Sequence, residues 1–342
     1  TVTTVTVPEA VRTALSLARQ HRADDRSSDA IAALHLALAD RPDELSLQTS
    51  LAMSWARALL FEGRVGVDDP ERVMGATRDA VPVGVELLRA VLSLLQGEPA
   101  QATDPLRRAR RLVDKVSAQD RDELKVLVHF TAALVHRALG QRDRAIRELK
   151  KSRARLRGRP SAALSQRMVR IGAELYLAQD RPFDAESWIV ELHELGVQRG
   201  EDETAPGGAD ATSGEANREA EARGSATHKS ESAASAKAPG RGAAAKGQVR
   251  AQQVDAVDLS PIARAYLAIA AGVRGDAQRS ASLLSTLPAD GEWAWAHARV
   301  ALVEMRGAAA ARHALTAMSV RSEDPETLRL WALSEFAARQ ER

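Results

Sequence analysis

The chain contains no cysteine. That excludes disulfides, thiolate metal sites and cysteine nucleophiles. Aromatic residues make up only 3% of the total, and runs of Val, Ile, Thr and Tyr are nearly missing, so little material exists for strands. The exception, Thr1–Val7, sits at a terminus, where ordering is weakest. No stretch approaches ~18 uninterrupted apolar residues, so no membrane-spanning helix is expected. No basic segment followed by an apolar run opens the chain, which argues against a signal peptide and for a cytoplasmic setting.

Sequence patterns for chemistry are equally scarce. No HExxH, Walker, GxSxG or SxxK pattern occurs. Gly63 to Gly66 lacks the Lys-Ser/Thr of a phosphate loop and reads as a turn. Asp68 with Asp69, and Asp122 with Glu123, lie in charged surroundings that would not raise one carboxyl for acid–base work. His129 and His136 share a helical face, but a metal would need a third ligand, and none is evident. The expectation is therefore a protein without catalytic residues, metal or cofactor.

What the chain does hold is helix-forming residues, chiefly Leu, Ala, Arg and Glu, and a recurring offset. Candidate turns lie at Asp25, Gly97, Gly140, Asp180, Gly275 and Arg306. Seven residues before them stand Ala18, Ala90, Ala133, Ala173, Ala268 and Arg299. Five after stand Ala30, Ala102, Ala145, Ala185, Ser280 and Ala311, all small. Nine after stand Leu34, Leu106, Leu149, Ile189, Leu284 and Leu315, all branched and apolar. Two antiparallel helices approach closely only where side chains are small, and one hairpin cannot bury its apolar face alone. The pattern predicts stacked helical hairpins.

This pattern resembles the tetratricopeptide repeat (TPR). Ala30, Leu34, Ala37 and Pro42 are similar to that family's second-helix signature, and Tyr176 falls where its first helix often carries tyrosine. The resemblance implies an all-α, right-handed α-solenoid of TPR-like hairpins interrupted by a disordered linker. Residues 1–10 would be frayed, 11–199 would hold about five hairpins, and 257–342 would hold two more plus a capping helix. One hairpin would pair Glu44–Phe61 with Pro70–Ala80. The capping helix, Pro325–Arg339, would present Leu328, Trp331, Ala332 and Phe336 on one face. Residues 200–256 form the expected linker, because Gly200–Gln248 contains no large apolar side chain with which to offset ordering entropy.

The family's concave face binds peptides. Carried over, its groove positions are Arg12, Leu15, Arg19 and Arg22; then Leu87, Val91 and Leu94; then Leu127, Phe130, Leu134 and Arg137; then Arg167, Arg170, Glu174 and Leu177; and, past the linker, Ile262, Ile269, Trp293, Val300 and Val303. The resemblance thus implies an interaction scaffold whose partner is a peptide or helix with acidic edges. A second reading starts from charge. The run Arg142, Arg144, Arg147, Lys150, Lys151, Arg153, Arg155, Arg157 and Arg159 is strongly basic. It would suit nucleic acid or another anionic partner, although aromatics for base stacking are not interleaved with it.

Overall fold

The computed structural model describes residues 8–62, 83–156, 161–197, 259–321 and 324–341. Residues 1–7 of the predicted frayed stretch 1–10, the turn after Gly63, the helix Pro70–Ala80, Arg157, Arg159 and the expected linker 200–256 lie outside the described residues, whereas Glu9 and Ala10 already belong to the first helix. The helices are α1 (Glu9–Ala23), α2 (Ser27–Asp40), α3 (Leu45–Arg57), α4 (Val83–Leu95), α5 (Thr103–Leu112), α6 (Ala118–Ala138), α7 (Arg142–Ala154), α8 (Ala162–Leu177), α9 (Pro182–Val197), α10 (Pro261–Val273), α11 (Ala277–Ser285), α12 (Ala294–Val303), α13 (Gly307–Val320) and α14 (Pro325–Gln340). A short π-helical turn, Ala58–Glu62, extends α3. No strand occurs among the described residues. The fold is an all-α solenoid in which neighbouring helices pack in sequence order.

The hairpin turns share one local geometry. Asp25, Gly97, Gly140, Asp180, Gly275 and Met305 all have positive φ. In each turn the next residue's N–H reaches back five residues, as Arg26 N–H does to His21 O (2.8 Å) and Gln141 N–H to His136 O (2.8 Å). This is the Schellman arrangement, which satisfies carbonyls that a helix end leaves orphaned. The predicted anchor at Arg306 is therefore one residue late. Nothing in Met305 signals a left-handed residue, and the slip carries through the whole unit. Ala298, Ala310 and Ala314 are fully buried there, while Leu315 of the predicted column is 60% exposed.

In the other units the small-residue columns fall where the offsets place them. Ala18, Ala90, Ala133, Ala173 and Ala268 are all fully buried, as are Ala30, Ala102, Ala145, Ala185 and Ser280. The Ser280 hydroxyl also donates to Ala268 O across the hairpin (2.9 Å). The following column, Leu34, Leu106, Leu149, Ile189 and Leu284, is buried in the core. Each such leucine contributes about 1.5–3 kcal/mol relative to exposure. Helix starts are fixed locally. Ser161 and Ser260 accept from the N–H groups of Leu164 and Ala263, and Pro261 and Pro325 stand in first turns.

Two ionic clusters tie the stack together. Arg22, 1% exposed, donates to Glu123 (3.0 Å) and to the hydroxyls of Ser50 (2.8 Å) and Ser54 (3.3 Å). Arg19 binds Asp120 (2.9 Å) and Arg57 binds Asp25 (2.8 Å), so α1, α3 and α6 are cross-linked near their ends. The C-terminal helices stack directly on the N-terminal ones. Helix α10 packs on α8 and α9, the Tyr266 hydroxyl donates to Glu174 (2.6 Å), and Arg274 pairs with Glu186 (3.1 Å), which is 1% exposed.

The outward face of α14 differs from expectation. Thr327, Leu330, Ser334 and Ala338 turn toward the body and Trp331 packs half-buried against the core, whereas Leu328, Ala332 and Phe336 are exposed. An apolar stripe on a terminal helix is ambiguous in a sequence, because either face could meet the preceding hairpin. Small Ser334 and Ala338 win because α13 approaches closely there.

Candidate functional site

Four elements meet around a cleft of about 370 Å³. Leu59 and Leu60 come from the π-helical turn, Leu94 and Leu95 from the end of α4, Leu134, Arg137 and Ala138 from the end of α6, and Arg167 from α8. The π turn matters here. Widening the helix by one residue per turn re-aims side chains relative to an α-helical path, and it brings Leu59 and Leu60 to the cleft. Leu95 remains 56% exposed, so the wall is open on that side.

Of the predicted groove residues, Leu94, Leu134, Arg137 and Arg167 converge on this cleft. Arg170 and Glu174 lie beside it on α8. Ile262 lines a small cavity next to Arg170, Val303 is exposed, and Leu177 and Trp293 are half-buried against the core. Leu15, Leu87, Val91, Leu127, Phe130, Ile269 and Val300 are buried in the core. They belong to the helix faces that seal one hairpin against the next. Arg22 is consumed by Glu123 and the two serines, and Arg19 by Asp120. Arg12 is exposed on α1, away from the cleft lining. Sequence reasoning missed Leu59, Leu60 and Leu95. The run Leu59-Leu60-Phe61 at a helix end was the available signal.

Electrostatics next to the cleft are dominated by arginine. Arg137 pairs with Glu174 (2.8 Å) and with Glu326 of α14 (3.0 Å). Arg170 pairs with the same two carboxylates (3.1 and 3.4 Å), and Arg299 of α12 reaches Glu326 (3.5 Å). Burial pushes the Glu174 carboxyl up, but Arg137, Arg170 and the Tyr266 hydroxyl outweigh it and hold it below the usual carboxylate range. Arg167 is the exception. Its Nε is buried without a hydrogen-bond partner. Burial and the neighbouring Arg170 charge lower its pKa from the ordinary arginine value.

The basic helix α7 is partly engaged by its own neighbours. Arg153 pairs with Glu191 and lies over the Trp188 ring (4.9 Å). Lys151 binds Glu148 (3.0 Å), Arg142 donates to Ala178 O (2.9 Å) and Arg144 to Gln141 (3.1 Å). Arg147, Lys150 and Arg155 are exposed, with Lys150 near the Tyr176 ring (5.9 Å). The two histidines on α6 are held apart by separate partners. His129 Nδ1 meets Glu148 (2.8 Å) and His136 Nδ1 meets Gln141 (3.0 Å). Among the described residues no group of three or more His, Asp or Glu is arranged to hold a metal, and no helix is long and apolar enough to cross a membrane.

No family model and no curated protein matches the chain. Among solved structures it is similar to a tetratricopeptide repeat protein from Parabacteroides merdae ATCC 43184, at 11% identity and a TM-score of 0.42, over 96% of this chain and 99% of that one. The hairpin architecture rests on the turns and small-residue columns described above.

Proposed function

We propose that the chain is a non-catalytic interaction scaffold and that the leucine-lined cleft seats a peptide or helix from another protein. The observation that carries this reading is the lining itself. Leucines from three elements surround the space, and two arginines, one with an unmet buried donor, stand at its edge. Such a donor costs about 1–3 kcal/mol until an oxygen meets it. Each apolar side chain inserted would gain about 1.5–3 kcal/mol if fully buried. A segment pairing leucine-sized residues with a carboxylate matches both features, and helix-in-groove recognition uses the same spacing of anchors.

Selection from a random peptide library displayed on phage tests this. Acidic, leucine-containing sequences are expected to enrich on the wild-type chain. Leu95→Glu, at the exposed wall of the cleft, and Arg167→Gln should each weaken them at least tenfold, about 1.4 kcal/mol, with far-ultraviolet circular dichroism checking that both variants keep their helices. Failure to enrich any sequence, or enrichment indifferent to both substitutions, would overturn the reading.

A further inference from the structure

Beside the cleft the positive charge exceeds the negative. Arg137, Arg170 and Arg299 share Glu174 and Glu326, Arg167 is close enough to feel Arg137, Arg170 and Glu174, and Arg321 and Asp324 line the same small cavity as Arg170 and Arg299, which makes five guanidinium groups against three carboxylates. The two shared carboxylates are not equivalent. Glu174 belongs to α8, its side chain is 9% exposed, and it is fixed by the Tyr266 hydroxyl at 2.6 Å. Glu326 belongs to the first turn of α14, its side chain is 40% exposed, and it is held by arginines of α6, α8 and α12. It reaches Arg137 across 189 positions of sequence.

We infer that these arginines form a carboxylate-exchange site: Glu326 is the resident occupant, and an acidic side chain of the peptide seated in the adjoining leucine cleft takes its place. The inference rests on the reading of the cleft as a peptide seat. Arg137 is the shared element, because it lines the cleft and binds Glu326 at once. A planar carboxylate is the fitting anion. Arg170, Tyr266, Trp295, Arg299, Asp324 and Glu326 are among the residues lining a small cavity of about 30 Å³, and guanidinium groups pair with planar carboxylates through two parallel hydrogen bonds. Replacement of one carboxylate by another needs no more room than Glu326 already fills. A tethered competitor lowers the apparent affinity of an outside ligand by the fraction of time the site is taken. Exchange also frees α14 from α6 and α8, so binding at the cleft would be felt in the C-terminal helices.

The experiment uses the full chain, wild type and Glu326→Gln, with two probes. The first is a peptide enriched in the library selection, together with its Glu→Gln counterpart. Removing the competitor's charge should tighten the acidic peptide about tenfold and leave the amide peptide unchanged. The second is glutarate, a free dicarboxylate, followed by emission that is lost in Trp295→Phe. Glutarate should bind Glu326→Gln more tightly than wild type and lose binding when Arg170→Gln is added. If peptides enrich but neither peptide nor glutarate distinguishes the 326 variants, exchange is overturned and the peptide seat stands. If no peptide enriches while glutarate prefers Glu326→Gln, the arginine site stands and the peptide seat falls. Equal glutarate affinity with no enriched peptide overturns both.

Discussion

Asp25, Asp180 and Met305 hold the same φ of 55° at equivalent turns, yet they are not equivalent in what they lose by it. A left-handed backbone costs an L-residue roughly 1–2 kcal/mol. Asp25 recovers this through its carboxylate, which accepts from Arg57 (2.8 Å) and from Ala163 N–H (3.0 Å). Met305 recovers nothing comparable, since its side chain is 86% exposed. Met305→Gly is expected to stabilise the chain by about 1 kcal/mol. Asp25→Gly is expected to destabilise it, because the Arg57 cation loses a partner in a largely buried setting. Urea titration of both variants checks the opposite signs. The same contrast explains what was legible. Glycine and aspartate announce a left-handed turn in a sequence. Methionine does not, so the offsets place the last hairpin one position out of register and assign Leu315 to a core it does not enter.

Helices α5, α6 and α7 are joined through one carboxylate. Glu148 on α7 accepts from Arg110, His129 and Lys151. Burial raises its pKa, but the hydrogen bonds from His129 and Lys151 and the charge of Arg110 prevail and bring it down to about 2. A depressed carboxylate stabilises the fold above its unfolded pKa, near 4.5, and that contribution is lost as pH falls toward 2. Acid unfolding of Glu148→Gln should therefore differ from wild type least at about pH 2–3 and most above pH 5. Equal differences at pH 2.5 and pH 6 would show that Glu148 is not the group responsible. Sequence reasoning saw α7 as a run of cations and proposed a partner for it. Glu148 stands three residues before Lys151, a helical pairing the sequence does show, but that Glu191 would lie against Arg153 is set by packing between helices. The cleft was half legible for a related reason. Leu94, Leu134, Arg137 and Arg167 follow from helix offsets, whereas Leu59 and Leu60 depend on a π turn that leaves no periodic mark.

Across the molecule, the two blocks meet at few polar points. Arg274 with Glu186, and Tyr266 with Glu174, carry the junction between α8–α9 and α10. Glu186 is 1% exposed, and burial raises its carboxyl more than Arg274 and Arg279 lower it. Removing Arg274 leaves Glu186 with the longer contact to Arg279 (3.9 Å), a loss toward the low end of the about 3–5 kcal/mol that breaking a buried pair costs. In a stack coupled mainly through nearest neighbours, a weakened interface separates its flanks. Arg274→Ala is therefore expected to divide thermal unfolding into two calorimetric transitions. A single transition merely shifted to lower temperature would show the coupling to reside in the apolar contacts of α10. No sequence offset crosses from 197 to 259, so stacking of the two blocks was not readable in advance. It depends on the packing of α10 against α8 and α9 and on polar pairs made from both α10 and α14.

The fully buried alanine columns have an evolutionary corollary. They constrain bulk and almost nothing else, since a methyl group offers no charge, polarity or shape to conserve. Drift can rewrite the outer columns freely while the backbone trace persists, so descendants of such a chain would keep the architecture long after their shared ancestry had faded from the text.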